Sequence, residues 1–199
     1  MTQRLKPVRT VAPAAALLDL DVVKSAVRID HDDDNELIFA LMQAAEQMLD
    51  GYAGILGRPL ITQTWREDFA QFSYRLPLRL RDVQSVASIT YYDADNVQQT
   101  VDASDYRLHE SACGAYLVQR EGQSWPSAYP REDAVSVTYL CGFGDAASDV
   151  PQPIRRAATM LVGHWFDAPE MVGAKAFGGL PPAVRALLTP YRTVRAFYT

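Results

Sequence analysis

The hydrophobic period of the chain changes twice, and this bounds its fold more tightly than any other feature. Leu37, Leu41, Ala45, Met48 and Tyr52 recur at three- and four-residue steps, with Ile38 and Leu49 beside them. That spacing predicts one apolar face of a helix over 34–53, preceded by a shorter helix over 22–28 that Asp19 or Asp21 can cap. From about 60 to 142 the pattern shortens. Ile61, Thr64, Trp65, Phe69 and Phe72 form a β-prone run, Val83–Tyr92 is rich in β-branched and aromatic residues, and Asp93-Ala94-Asp95-Asn96 is a turn cluster before Val97–Val101. Tyr106–His109, Ala115–Gln119 and Ala134–Cys141 read as three more short strands. The helical period then returns: Pro151 and Pro153 suit a helix start, and Ile154, Ala158, Leu161 and Trp165 form a stripe with Val162 and Phe166 on its edge.

Short strands joined by short turns pair antiparallel, and no βαβ alternation is visible. The fold class is therefore α+β: flanking α-helices packed as a small helical layer, an inserted antiparallel β module, and an extended C-terminal arm. The expected organisation is a basic arm over 1–18, a domain over 19–172 with helices 22–28, 34–53 and 152–168 and the β insertion at about 60–142, and a glycine-rich hinge with the arm over 173–199. Thr189–Thr199 reads as extended.

Charge follows the same divisions. The net charge is −5, yet all 24 acidic residues lie between 19 and 171, and both ends are basic. An acidic body argues against a protein that grips phosphate backbones and leaves the ends as contact arms.

Sites of chemistry are sought and not found. Asp30, Asp32 and Asp34 alternate as in the first half of an EF-hand loop, but Asn35 stands where glycine is needed and Leu41 where the closing glutamate belongs. Carboxylates over Asp30–Glu36 are expected instead to cap the helix that follows. Gly142-Phe143-Gly144 lacks the third glycine of a dinucleotide loop, with Ala147 in its place, and reads as a tight strand-to-helix turn. His31, His109 and His164 form no metal-ligand spacing, His164 being a packed or interfacial residue, and no G-x-S-x-G elbow exists. Cys113 and Cys141 are too few for a disulfide framework, and Cys141 is expected to be buried. The apolar run Val11–Leu18 is too short to span a membrane, and with no cleavage site after it a signal peptide is not expected. No catalytic residue, cofactor or metal is assigned, and the chain is not read as an enzyme.

Several local patterns converge on one family. They are Val23-Lys24-Ser25-Ala26-Val27-Arg28-Ile29-Asp30 with the acid-rich Asp32–Glu36, Gly57-Arg58-Pro59-Leu60-Ile61-Thr62-Gln63-Thr64-Trp65, Ser124-Trp125-Pro126, Gly142-Phe143-Gly144-Asp145, Val150-Pro151-Gln152-Pro153-Ile154-Arg155, Leu161-Val162-Gly163-His164-Trp165 and Leu187-Leu188-Thr189-Pro190-Tyr191-Arg192. In order and spacing over 20–199 the chain resembles the head–tail connector (adaptor) proteins of long-tailed phages and phage-derived gene transfer agents. The resemblance implies a virion protein in the neck: a twelve-fold ring of this chain beneath the portal protein, extending the DNA channel and meeting tail-side neck or stopper proteins. It implies that helices pack between neighbouring subunits. It further implies that Pro190, Tyr191, Arg192, Arg195, Phe197 and Tyr198 form an arm reaching the portal, with DNA passing through without sequence-specific binding. The alternatives are another neck or tail-completion protein, a Ca²⁺-dependent module using Asp30, Asp32 and Asp34, and a small hydrolase whose residues assemble from afar.

Overall fold

Alternation along residues 135–141 sets the centre of the β structure. Val135, Val137, Tyr139 and Cys141 are buried, and the residues between them are partly exposed. In the computed structural model, which describes residues 5–111, 114–167 and 180–193, these side chains occupy the middle strand of a five-stranded sheet. Two structural units are present, one built from residues 5–14 and 62–142, the other from 15–61 and 143–193.

The β unit contains β1 (Val8–Val11), β2 (Gln63–Phe69), β3 (Leu76–Pro77), β4 (Val83–Tyr92), β5 (Gln98–Thr100), β6 (Tyr106–Ser111), β7 (Gly114–Gln119) and β8 (Val135–Cys141). The first sheet runs β1-β2-β8-β4-β5 and the second β3-β7-β6, with every strand pair antiparallel. Register follows the buried faces: Trp65 lies opposite Tyr139, Glu67 opposite Val137 and Phe69 opposite Val135. β4 carries register shifts at Val83/Ser85 and Val86/Ser88, where an extra residue bends the strand. The turn after it forms as its composition predicts. Asp93 Oδ1 accepts hydrogen bonds from the amides of Asp95 and Val97, and Asn96 adopts φ 59°.

The helical unit contains α1 (Leu20–Val27), α2 (Asn35–Leu49), α3 (Gln152–Asp167) and α4 (Pro182–Leu188), followed by a 3₁₀ turn at Thr189–Tyr191. Asp19 caps α1 through the amides of Asp21 and Val22. α1 stops at Arg28, whose left-handed backbone returns its N–H to the carbonyls of Lys24 and Ser25. α3 packs against α1, α2 and α4. Its buried stripe of Ile154, Ala157, Ala158, Leu161 and Val162 matches the sequence periodicity, with Trp165 and Phe166 partly buried at its end. The segment between α2 and β2 is fastened within the same unit: Asp50 Oδ1 accepts the Leu60 amide at 2.8 Å, and the Phe143 amide donates to the Leu60 carbonyl at 2.9 Å.

Three expectations need correction. The apolar face of α2 is centred one residue later than the repeat starting at Leu37, on Ile38, Leu41, Met42, Ala45 and Leu49; Leu37 itself is 49% exposed. The acids before α2 do not cap it by side chain: Asp34, at the N-cap position, makes no cap hydrogen bond. Residues 189–191 are a 3₁₀ turn rather than extended chain, because Pro190 continues the helical φ of α4 for one more turn. The glycine-rich stretch at 173–179 lies outside the described residues.

Candidate functional site

The sequence places its contact residues at the C-terminus, and the structure describes half of them. Pro190 and Arg192 are exposed. Tyr191 is partly buried and packs against the helical core, so it belongs to the fold as far as the structure goes. The Thr193 amide donates to the Leu56 carbonyl at 2.9 Å, which ties the chain down one residue beyond Arg192. Arg195, Phe197 and Tyr198 lie outside the described residues.

The acidic segment between α1 and α2 lies on the surface. Asp30, Asp32 and Asp33 are exposed. Asp32 accepts from Lys24 Nζ at 2.7 Å and from Asn35 Nδ2 at 3.1 Å. The lysine hydrogen bond, helped by Asn35, holds its carboxyl below the usual aspartate range. His31 stands 3.9 Å from both Asp33 and Asp34. Among the described residues no group of three or more His, Cys, Asp or Glu side chains could hold a metal, so Asp30, Asp32 and Asp34 do not gather. His164 is exposed on α3, and Cys141 is fully buried, its Sγ near the Gln63 carbonyl. Gly142-Phe143-Gly144 forms the expected tight connection, with Asp149 accepting the Ala146 amide at the start of the turn into α3.

The β unit holds two aromatic constellations that sequence reasoning did not assemble. In the first, the Phe72 ring stacks on Trp125 at 4.8 Å and meets Tyr91 edge-on at 5.7 Å, while Trp125 Nε1 donates to the Ser73 carbonyl. Nearby, the Arg131 guanidinium lies 3.9 Å from the Tyr92 ring centre and binds Asp133 through two hydrogen bonds of 2.6 and 2.7 Å. That pairing lowers the Asp133 carboxyl and raises Arg131. The second lies on the outer face of the three-stranded sheet. His109 stacks on Tyr116, directly opposite it in register, at 5.6 Å and 16° between planes. The Arg75 guanidinium sits 5.0 Å from the Tyr116 ring and 6.0 Å from that of Tyr74, a side chain 79% exposed. The alternation of Arg107, His109 and Ser111 in β6 is the one local trace of this face in the sequence.

Among the described residues, this face carries exposed cations and stacked rings. No helix among the described residues is long and apolar enough to cross a membrane.

Comparison with known proteins places the chain in a family. No curated protein matches the chain. Among solved structures, a chain from the neck of an empty gene transfer agent particle computed with C6 symmetry superposes with a TM-score of 0.76 at 20% identity, covering 98% of this chain and 99% of that one. A chain from the virion of a native gene transfer agent particle gives 0.76 at 19% identity, with the same coverage. One from the neck of a native particle computed with C12 symmetry gives 0.67 at 19%, covering 96% and 98%. At this identity the likeness is one of fold, and it extends over nearly the whole of both chains. The family model for the head completion protein matches residues 16–194, both helical segments and the β insertion between them. The chain belongs to the head completion protein family.

Proposed function

We propose that this protein is a structural head–tail connector in the neck of a phage or phage-like particle, forming a ring beneath the portal protein and joining capsid to tail. The observation that carries the reading is the family match over residues 16–194. The near-complete fold likeness to chains from gene transfer agent necks supports it. A twelve-fold ring is the proposed state, in keeping with the C12 symmetry with which one of those necks was computed. Ring closure needs two different surfaces on each subunit, and this chain offers chemically distinct ones: an acidic segment between α1 and α2 and a cation-bearing sheet face. The ring extends the DNA channel and presents its other side to a tail-side neck or stopper protein.

Portal docking is proposed for the C-terminal arm of Pro190, Tyr191, Arg192, Arg195, Phe197 and Tyr198, whose aromatic and arginine content is that of interface anchors. The packing of Tyr191 and the Thr193–Leu56 hydrogen bond fix where the arm should be cut to test this. Removal of residues 194–199 should leave the thermal unfolding of the chain unchanged and abolish its binding to portal rings from the same gene cluster, read by electron microscopy and co-sedimentation. Full-strength binding by the truncated chain refutes the arm assignment, and no binding by the intact chain refutes the connector reading itself.

A further inference from the structure

We infer that the outer face of the three-stranded sheet is a docking surface for a carboxylate-rich segment, and that the segment it fits is Asp30–Glu36 of a second copy of this chain. The inference rests on the ring reading above and adds to it the two surfaces that meet.

The face is built by strand alternation. Tyr106, Ala115 and Leu117 are buried, so Arg107, His109 and Ser111 of β6 point outward together with Tyr116 and Val118 of β7. None of these outward residues is a carboxylate. Tyr74, Arg75, Tyr116 and His109 stack in one continuous row. Arg75 and Arg107 are exposed, and neither has a carboxylate partner among the described residues. A guanidinium placed over an aromatic ring can still offer N–H groups to a carboxylate in a two-pronged contact. Arranging the row in advance lowers the entropy lost on binding, and tyrosine and arginine are the residue types that anchor protein interfaces.

The complement is on the same chain. Between residues 30 and 36 stand Asp30, Asp32, Asp33, Asp34 and Glu36, and the one lysine among their partners, Lys24, is bound to Asp32. Five carboxylates so close together repel one another, and a cationic face brought against them relieves that repulsion. A DNA duplex is the weaker fit. Two guanidiniums neutralise about two phosphates, whereas tight duplex binding takes roughly six to ten such contacts. Because the two surfaces differ, the contact is head-to-tail, the kind that closes into a ring when the rotation allows.

The test uses the full-length chain, alone and on portal rings from the same gene cluster, imaged by electron microscopy and weighed by mass photometry. The face variant is Arg75→Glu with Arg107→Glu; the segment variant is Asp30→Lys with Asp33→Lys. All four positions are exposed, and thermal unfolding confirms that each variant folds; Arg75→Gln with Arg107→Gln serves where the reversal does not. Each variant alone should assemble at least about tenfold more weakly than the wild type, and an equimolar mixture of the two should assemble more strongly than either variant alone, because half of its contacts are the native pairing and the others set the introduced glutamates against the introduced lysines. Wild-type rings indifferent to the face variant, or a mixture that stays dispersed, overturn the inference and leave the ring reading standing. A wild-type chain that forms no oligomer alone or on portal rings overturns both. Fluorescence anisotropy of a labelled duplex covers the remaining occupant: DNA binding lost in the face variant while ring assembly persists shows nucleic acid to be the partner, which also overturns the inference.

Discussion

Replacing Tyr139 by phenylalanine isolates a single hydroxyl at the centre of the β unit. Tyr139 is 0% exposed, and its hydroxyl donates to Glu67 Oε1 at 2.6 Å; Glu67 is 2% exposed, and the same oxygen accepts the Arg79 amide. The substitution leaves the ring in place, so it opens almost no cavity and removes mainly the hydrogen bond to a buried acceptor. Such bonds to charged groups are worth about 1.5–3 kcal/mol, which sets the expected loss near 2 kcal/mol at neutral pH. The same geometry makes the loss depend on pH. Burial first, and then the neighbouring Glu67 charge, push the Tyr139 hydroxyl well above its ordinary value of 10.0. In the unfolded chain it ionises near 10, so its contribution is fully present below that pH. The contribution then drains at up to about 1.4 kcal/mol per pH unit as the pH climbs toward the folded value. Phenylalanine has nothing to ionise. The gap between wild type and variant should therefore close within about 1.5 pH units above 10. Urea unfolding followed by tryptophan fluorescence at pH 7, 9, 10 and 11 reads it directly, because Trp65 is buried opposite Tyr139 in the sheet. A gap below about 0.5 kcal/mol at pH 7, or one constant to pH 11, would refute the charge-assisted bond.

Other positions give sharper yes-or-no outcomes. Asp19→Ala should cost about 0.5–2 kcal/mol because it removes the α1 cap, whereas Asp34→Ala, with no cap bond to lose, should fall within about 0.5 kcal/mol of wild type; equal costs in urea titrations would contradict the assignment of caps. Gly54→Ala should unfold or severely destabilise the helical unit, since its Cβ would strike the backbone carbonyls of Leu49 and Asp50 rather than a side chain that can move; circular dichroism with an unchanged melting curve refutes this. Lys24→Met should raise the titration midpoint of Asp32 toward 3.8, followed by NMR. The lowered carboxyl stabilises the fold above that pH and ceases to do so as pH falls through the folded value, so the variant should lose less stability on acidification; an unmoved midpoint would credit Asn35 alone.

The fold class is legible in the period of the hydrophobic residues because burial on one face imposes that period. α3 shows this most cleanly: its stripe from Ile154 to Leu161 is the buried face. β1 is invisible to the same reasoning. All four of its residues are exposed, so nothing in Val8–Val11 alternates, and only pairing with β2 makes it a strand. β3 is two residues long, below the length at which any period can be read. The shift of the α2 face from Leu37 to Ile38 has a similar cause. Both residues are large and aliphatic, and the choice between them is made by what α3 presents to α2. The side-chain capping expected of Asp30–Glu36 is not made either: Asp34, at the N-cap position, makes no cap hydrogen bond, and the Asp32 carboxylate is bound to Lys24 of the preceding helix.

Several carboxylates of the acidic body serve the fold itself. Asp19 holds the start of α1, Asp50 the Leu60 amide, Glu46 the Leu17 amide, Asp93 and Asp102 their own turns, Asp149 the Ala146 amide, and Glu67 lies in the core with Tyr139. These carboxylates keep their charge, but each is held in place by a hydrogen bond within the fold. The densest run of acids is Asp30–Glu36, where five carboxylates stand beside one lysine. The cations that could answer it, Arg75 and Arg107, stand 32 positions apart and become neighbours only through the pairing of β3 and β6 with β7. A surface made by register cannot be seen in any window of sequence. The charge pattern along the chain points to an acidic protein with basic ends, and the pattern across its strands adds a cation-bearing sheet face.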